Sequence, residues 1–430
     1  MILNYIFSFA KLPLCIVYDL SAYNDNIWRM SMKNNSLCIT PGLTAGSLAG
    51  NYLFAEVAAR INEYKKSAPN RVIDLSIGDV TLPLPRTAAA ALATASAEMG
   101  TNAGFRGYPP CAGYDFLREA IASGHYARLG VRIGADEIFI SDGAKTDLGV
   151  LPQIFGRCCV YLPDPTYPAY RDVNIAVGNT VRYITANSGN GFLPLPDSDC
   201  GTGIYYICSP SNPTGAAYTE DELGIWVRHV LSTGSVIIYD AAYSMFIPDA
   251  DRVHPRTIYA VPEARRCAIE VNSFSKSAGF TGLRCGFTVI PAELTVDGTA
   301  LSGVWQRYRA MTSNGVAYPV QRAAAATLTP DGRRACRAAI GYYLENVTIL
   351  RRALRSCGIK TAAGGISPYV WFRCPGGDSW DFFTRLLEST GIAGTPGAGF
   401  GAAGEGYFRF SAFCRHEDAA EATERIKKNI

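Results

Sequence analysis

Between about residues 137 and 296, short β-rich runs alternate with helical patterns, and the runs stop at clusters of glycine and polar residues. Glu137-Ile138-Phe139-Ile140 leads into Ser141-Asp142-Gly143-Ala144-Lys145, and Cys159-Val160-Tyr161-Leu162 into Pro163-Asp164-Pro165-Thr166-Tyr167. Ile204 to Cys208 stops at Ser209-Pro210-Ser211-Asn212-Pro213-Thr214-Gly215, and Ser235 to Tyr239 at Asp240-Ala241-Ala242-Tyr243. Ala268-Ile269-Glu270-Val271 runs into Asn272-Ser273-Phe274-Ser275-Lys276-Ser277-Ala278-Gly279. Strands joined through helices are set parallel, because only a crossover returns the chain to the same end of the sheet. Such sheets bind ligands beyond the carboxyl ends of their strands, and all five polar clusters fall there. The pattern predicts an α/β fold with a functional centre along one sheet edge.

The flanks divide the chain further. Residues 1–47 read as an N-terminal extension, and 48–85 as an arm together with part of a smaller domain. A large domain spans 86–296, and a smaller α+β domain 297–430. Apolar spacing predicts helices over Tyr52 to Ile61, Thr87 to Met99 and Asp115 to Leu129, and later over Gln321 to Thr327, Arg333 to Cys357 and Trp380 to Thr390. Arg71 to Ile77 reads as a strand entering a turn at Gly78-Asp79, and Phe105 to Tyr114 as a loop. No internal repeat or low-complexity tract occurs.

Composition removes several classes of function. With 40 basic and 37 acidic residues the net charge is +3, too small to predict a nucleic-acid or membrane partner. No apolar run reaches the roughly 18 residues of a membrane span. Met1 to Tyr23 is apolar but lacks a basic start and a cleavage site, so it does not read as a signal peptide; Met30 and Met32 are alternative starts. The 13 cysteines are odd in number and show no C-x-x-C spacing. Reduced, buried thiols in a cytoplasmic protein account for them better than disulfides or zinc. The four histidines lack ligand spacing. Gly399 to Gly404 fits G-x-G-x-x-G, but a strand-like run follows it where a dinucleotide site needs a helix.

What remains is a lysine, Lys276, flanked by small residues, with Arg284 eight positions on. A flat ring can approach such a lysine closely, and a hydroxyl with a guanidinium suits a phosphate. Those are the parts of a pyridoxal 5'-phosphate (PLP) site: a lysine that bonds the cofactor's aldehyde and a cup for its phosphate. Asp240 at a strand end is the candidate partner of the pyridine nitrogen. Tyr243 and Asn212 are candidates for its phenolic oxygen, and Tyr167 for stacking on the ring. Ser273, Arg284 and the backbone at Ala144 and Lys145 are candidates for the phosphate. Singly, each reads as a cap, a turn or a packing residue; their common place at successive strand ends favours the site.

These residues resemble fold-type I PLP-dependent aminotransferases, and the likeness is closer still to the LL-diaminopimelate aminotransferase subfamily. Asn51-Tyr52-Leu53-Phe54, Leu75-Ser76-Ile77-Gly78-Asp79, Asp164 to Tyr170, Asn272 to Gly282, Thr395 to Gly401 and Arg409-Phe410-Ser411-Ala412-Phe413 carry it. The resemblance implies that Arg409 grips the substrate α-carboxylate beside the backbone of Gly78, and that Lys145 lines the substrate pocket. It also implies a homodimer with shared active sites, in which Tyr52 and Asn314 reach into the partner's site. The reaction implied is ping-pong transamination from glutamate to tetrahydrodipicolinate. One position departs from the pattern. Cys111, in Gly107-Tyr108-Pro109-Pro110-Cys111, stands where that subfamily has an acidic residue facing the distal amino group. The resemblance therefore leaves aspartate, alanine or an aromatic amino acid as alternative substrates, and a PLP-fold regulator without turnover as a remote one.

Overall fold

The protein is represented by a computed structural model that describes residues 52–67, 71–362 and 364–429. The expectations for the N-terminal extension and its methionines lie outside them. A two-residue strand β1 (Ile73–Asp74) precedes seven strands of one sheet. These are β2 (Ile138–Ser141), β3 (Cys159–Asp164), β4 (Thr180–Thr185), β5 (Ile204–Cys208), β6 (Val236–Asp240), β7 (Ala268–Ser273) and β8 (Gly286–Val289). Their order is β2-β8-β7-β6-β5-β3-β4. Strands β4, β3, β5, β6 and β7 pair in parallel, and β8 lies antiparallel between β7 and β2. The expected α/β architecture with a mostly parallel sheet is present. The edge strand β4 and the reversed β8 were not foreseen: β4 is largely exposed and β8 is only four residues long.

Alternation along each strand sends neighbouring side chains to opposite faces, so the sheet builds two cores. Tyr205, Ile207, Ile237 and Tyr239 enter one; Tyr206, Cys208, Ile238 and Val271 enter the other. That alternation puts Asp240 on the second face, just past Ile238 at the open end of the sheet.

A short hairpin of β9 (Thr295–Val296) and β10 (Thr299–Ala300) follows. The C-terminal region forms β11 (Tyr369–Arg373), β12 (Ile392–Ala393), β13 (Thr395–Pro396) and β14 (Tyr407–Ser411). Strands β11, β14 and β13 make an antiparallel sheet, and β12 pairs with β1. A third core gathers Val370, Phe372, Phe408 and Phe410 with Leu53, Val57, Ile73 and Leu75 from the start of the chain. The 27-residue helix Pro330–Ser356 bridges the cores: Cys336, Ile340 and Tyr343 pack on the large sheet, while Val347, Leu350 and Leu354 join the third core.

Two predicted elements differ. The strand expected over Arg71 to Ile77 is limited to Ile73–Asp74, because β12 offers only two residues to pair. The Asp74 carboxylate then accepts hydrogen bonds from the Ser76 N–H and hydroxyl and turns the chain. The helix expected from Asp115 to Leu129 is α-helical only to Ile121 and continues as a wide turn and a tight one before Gly130. Among the described residues no helix is long and apolar enough to cross a membrane.

Candidate active site

The five strand ends converge on a cavity of about 400 Å³, within the usual size of a small-molecule site. It is lined by Tyr52, Gly78, Ala144, Lys145, Tyr167, Asn212, Asp240, Tyr243, Ser273, Lys276, Arg284 and Arg409. Twelve separately predicted residues thus share one space. Asn314 does not: it is exposed, away from this chain's own cavity. Tyr52, implied to serve a partner chain, lies in the cavity of its own chain, because its helix Leu53–Ser67 packs into the third core of the same chain.

Lys276 sits in the short helix Phe274–Ser277, whose first turn is capped by the Ser273 hydroxyl accepting from the Ser275 N–H. Its Nζ donates to the Gly78 carbonyl. Burial pulls the Lys276 pKa down to about 8, assisted by the Arg409 and Arg284 charges and opposed by Asp79. A neutral amine is therefore accessible near physiological pH.

Asp240 is buried at the end of β6, with Tyr170 Oη donating at 2.6 Å and the Ala242 N–H at 3.0 Å. Burial raises its pKa, and those two hydrogen bonds oppose the rise. A carboxylate facing a cavity under these conditions is stabilised by a cation placed opposite it. Tyr243 and Tyr369 share a hydrogen bond of 2.7 Å between hydroxyls.

Arg409 rises from β14 into the same space and is buried. Its Nη1 donates to Asn212 Oδ1 and its Nη2 to the Ser76 carbonyl, each at 2.6 Å, while Nε has no partner among the described residues. The guanidinium lies 4.4 Å from the Tyr369 ring centre and 4.8 Å from that of Phe400. Burial lowers its pKa, but an arginine stays charged. A buried guanidinium held only by neutral acceptors retains capacity for a carboxylate. At the opposite end, Arg284 Nη1 donates to Ser275 Oγ at 3.2 Å and to the Thr281 carbonyl at 3.1 Å. A Cβ at Gly143 would lie 2.3 Å from Arg284 Nη2, so only glycine permits that approach.

The side chains fit PLP: a lysine with a depressed pKa, a buried carboxylate without a cation partner among the described residues, a hydroxyl-lined arginine for the phosphate and an aromatic wall. Sequence reasoning missed Tyr170, Tyr369, Phe54 and Ser275 as members of the site. Tyr170 follows Tyr167 by about one helical turn in Pro168–Ala176, a spacing that offered a clue. Tyr369 opens a strand of another sheet and offered none.

A buried lysine, a buried carboxylate and a buried arginine around one cavity at the sheet edge agree with the class that the comparisons give: PLP-dependent transaminases. The chain belongs to the aminotransferase class I and II family, whose description it matches over residues 70–426. It is similar to the solved LL-diaminopimelate aminotransferase of Chlamydomonas reinhardtii, with 39% identity and a TM-score of 0.86, over 91% of this chain and 99% of that one. An aminotransferase of Mycobacterium tuberculosis matches at 26% identity and a TM-score of 0.80, over 91% and 98%. The aromatic aminotransferase of Pyrococcus horikoshii OT3 matches at 25% and 0.74, over 86% and 98%.

Proposed function

We propose that the protein is an LL-diaminopimelate aminotransferase. It would move an amino group from L-glutamate to tetrahydrodipicolinate, giving LL-diaminopimelate and 2-oxoglutarate for lysine biosynthesis, as a cytoplasmic homodimer. The observation that carries this reading is the 39% identity to the algal enzyme across nearly the whole of both chains.

When bound, PLP supplies an aldehyde for covalent attachment and a ring that draws electrons from the substrate carbon. Lys276 Nζ serves as the base that takes the proton from the substrate Cα, a role for which a pKa of about 8 is suited. Asp240 would keep the pyridine nitrogen protonated. Asn212 and Tyr243 would hold the phenolic oxygen, and Tyr167 would pack on the ring. Ser273, Arg284 and the backbone at Ala144 and Lys145 would hold the phosphate, joined in a dimer by Asn314 from the other chain. Arg409 grips the α-carboxylate through two parallel hydrogen bonds, with Gly78 beside it, while Tyr52 and Lys145 line the substrate side.

Cys111 favours a second reading, an aminotransferase for aspartate, alanine or an aromatic amino acid. A neutral thiol in place of a carboxylate forfeits a charge-assisted hydrogen bond, about 1.5–3 kcal/mol of preference for a distal ammonium. Asp79, which lines the cavity, is the carboxylate available to compensate.

Purified enzyme mixed separately with LL-diaminopimelate, glutamate, aspartate, alanine and lysine discriminates the two by the absorbance change of the bound cofactor. Fast conversion by LL-diaminopimelate and glutamate alone is expected. Conversion by aspartate or alanine but not LL-diaminopimelate would replace this substrate assignment with the second reading.

A further inference from the structure

A second cavity, of about 600 Å³, backs onto the lysine-bearing turn. The turn is the wall between the two spaces: Ser275 and Lys276 face the first, Phe274, Ser277 and Ala278 face the second, and Ser273 borders both. The second cavity is lined by five arginines and a single carboxylate. Arg256 and Arg337 share that carboxylate, Asp249, at 2.5 and 2.6 Å. Asp249 is itself 71% exposed, so water weakens its hold on both. Arg334 pairs outside the cavity with Asp331. Arg333 donates to the Leu328 carbonyl and has no ion-pair partner among the described residues. Arg128 has no hydrogen-bond or ion-pair partner among the described residues.

The wall also carries His125, whose Nε2 is buried without a hydrogen-bond partner among the described residues. Burial and the Arg256 and Arg337 charges hold its pKa down to about 4, so the ring is neutral and can offer an N–H without adding charge. Like charges gathered around a concavity repel one another; burial and Arg128 lower the pKa of Arg333, and burial and Arg256 that of Arg337. Asp249 and Asp331 offset part of this charge, but among the described residues Asp249 is the single carboxylate lining the cavity against five arginines, although the chain as a whole carries only +3. A field focused inside a concave site concentrates small anions there.

We propose that this cavity binds a small polyanion, a molecule presenting two or more negative charges as carboxylates or phosphates, with Arg128 and Arg333 as its free cationic contacts. A concavity of about 600 Å³ favours a compact ion over an extended nucleic-acid or membrane surface.

Calorimetric titration of the PLP-loaded enzyme with pyrophosphate, and separately with citrate, at constant ionic strength tests the proposal. One saturable site per chain is expected, unchanged in Arg409→Gln and weakened at least tenfold in the Arg128→Gln/Arg333→Gln double variant. Arg128→Gln alone, at an exposed position where folding is not at stake, should weaken it severalfold. Tighter binding of citrate assigns a polycarboxylate, and of pyrophosphate a phosphate compound. Binding lost only in Arg409→Gln, binding indifferent to the arginine variants, or binding only of a long polyanion such as an oligonucleotide would overturn it.

Discussion

Two buried carboxylates on neighbouring strands show how this sheet separates structure from chemistry. In the register of β6 and β7, Tyr239 lies opposite Glu270 and Asp240 opposite Val271, so the two acids sit one position apart on opposite faces. Both have pKa values raised by burial. Glu270 accepts from Tyr126 Oη at 2.7 Å, Thr257 Oγ1 at 2.6 Å, the Ile258 N–H at 2.9 Å and Asn272 Nδ2 at 2.8 Å, and it borders neither large cavity. Asp240 has two donors and an open side. A carboxylate whose lone pairs are filled by the fold is a structural element. One left incomplete towards a cavity is available to a ligand.

Substitution should separate them. Asp240→Asn keeps a group that Tyr170 and the Ala242 N–H can bond, so urea denaturation should find stability nearly unchanged. Its kcat should fall roughly 10²- to 10⁴-fold, the range for losing a positioned acid–base group. Glu270→Ala leaves four donors facing a new void, and unfolding should show a loss of about 3 kcal/mol or more, with kcat per folded molecule close to the parent. If Glu270→Ala instead spared stability and removed activity, the distinction between filled and incomplete carboxylates would collapse.

The same contrast explains what the sequence made legible. Asp240, Asn212, Tyr167, Lys145 and Lys276 could be placed because each stands at the end of a β-rich run, and parallel topology carries all such ends to one edge. Glu270 lies inside its run, and nothing local marks it as buried and fourfold bonded. Tyr369 and Ser76 meet Arg409 from separate parts of the fold, a juxtaposition created by packing β14 beside β11 and against Leu75. The reversal of β8 was equally hidden. Four buried residues following Arg284, itself at positive φ, carry no sign of direction. Periodicity reports which face a residue takes; it does not report which distant element covers that face.

Arg409 extends the comparison to a cation. Its guanidinium meets Asn212 and Ser76 through two different nitrogens while packed on Tyr369, an arrangement that a lysine ammonium cannot reproduce. Arg409→Lys should raise KM for the amino donor roughly 10- to 100-fold, the equivalent of one charge-assisted hydrogen bond, with a smaller change in kcat. Steady-state kinetics at saturating oxo acid measure the split. A lone fall in kcat would place Arg409 outside carboxylate binding.

The smallest effect concerns the lysine that lies between the two cavities. An unperturbed lysine titrates near 10.4, so at pH 8 only about one in several hundred is neutral. Burial, with Arg409 and Arg284 nearby, brings Lys276 to about 8, where half is neutral. Only the neutral amine attacks an aldehyde, so the rate at which apoenzyme captures PLP should rise with pH and level off above about 8. Asp79 opposes the shift by favouring the ammonium. Asp79→Asn should therefore move the midpoint to lower pH, and Arg409→Gln to higher pH, each by a fraction of a unit. Stopped-flow absorbance across pH 6 to 10 reads all three midpoints. A common midpoint near 10 would mean that water reaches Lys276 freely and that burial does not prepare it to act as a base.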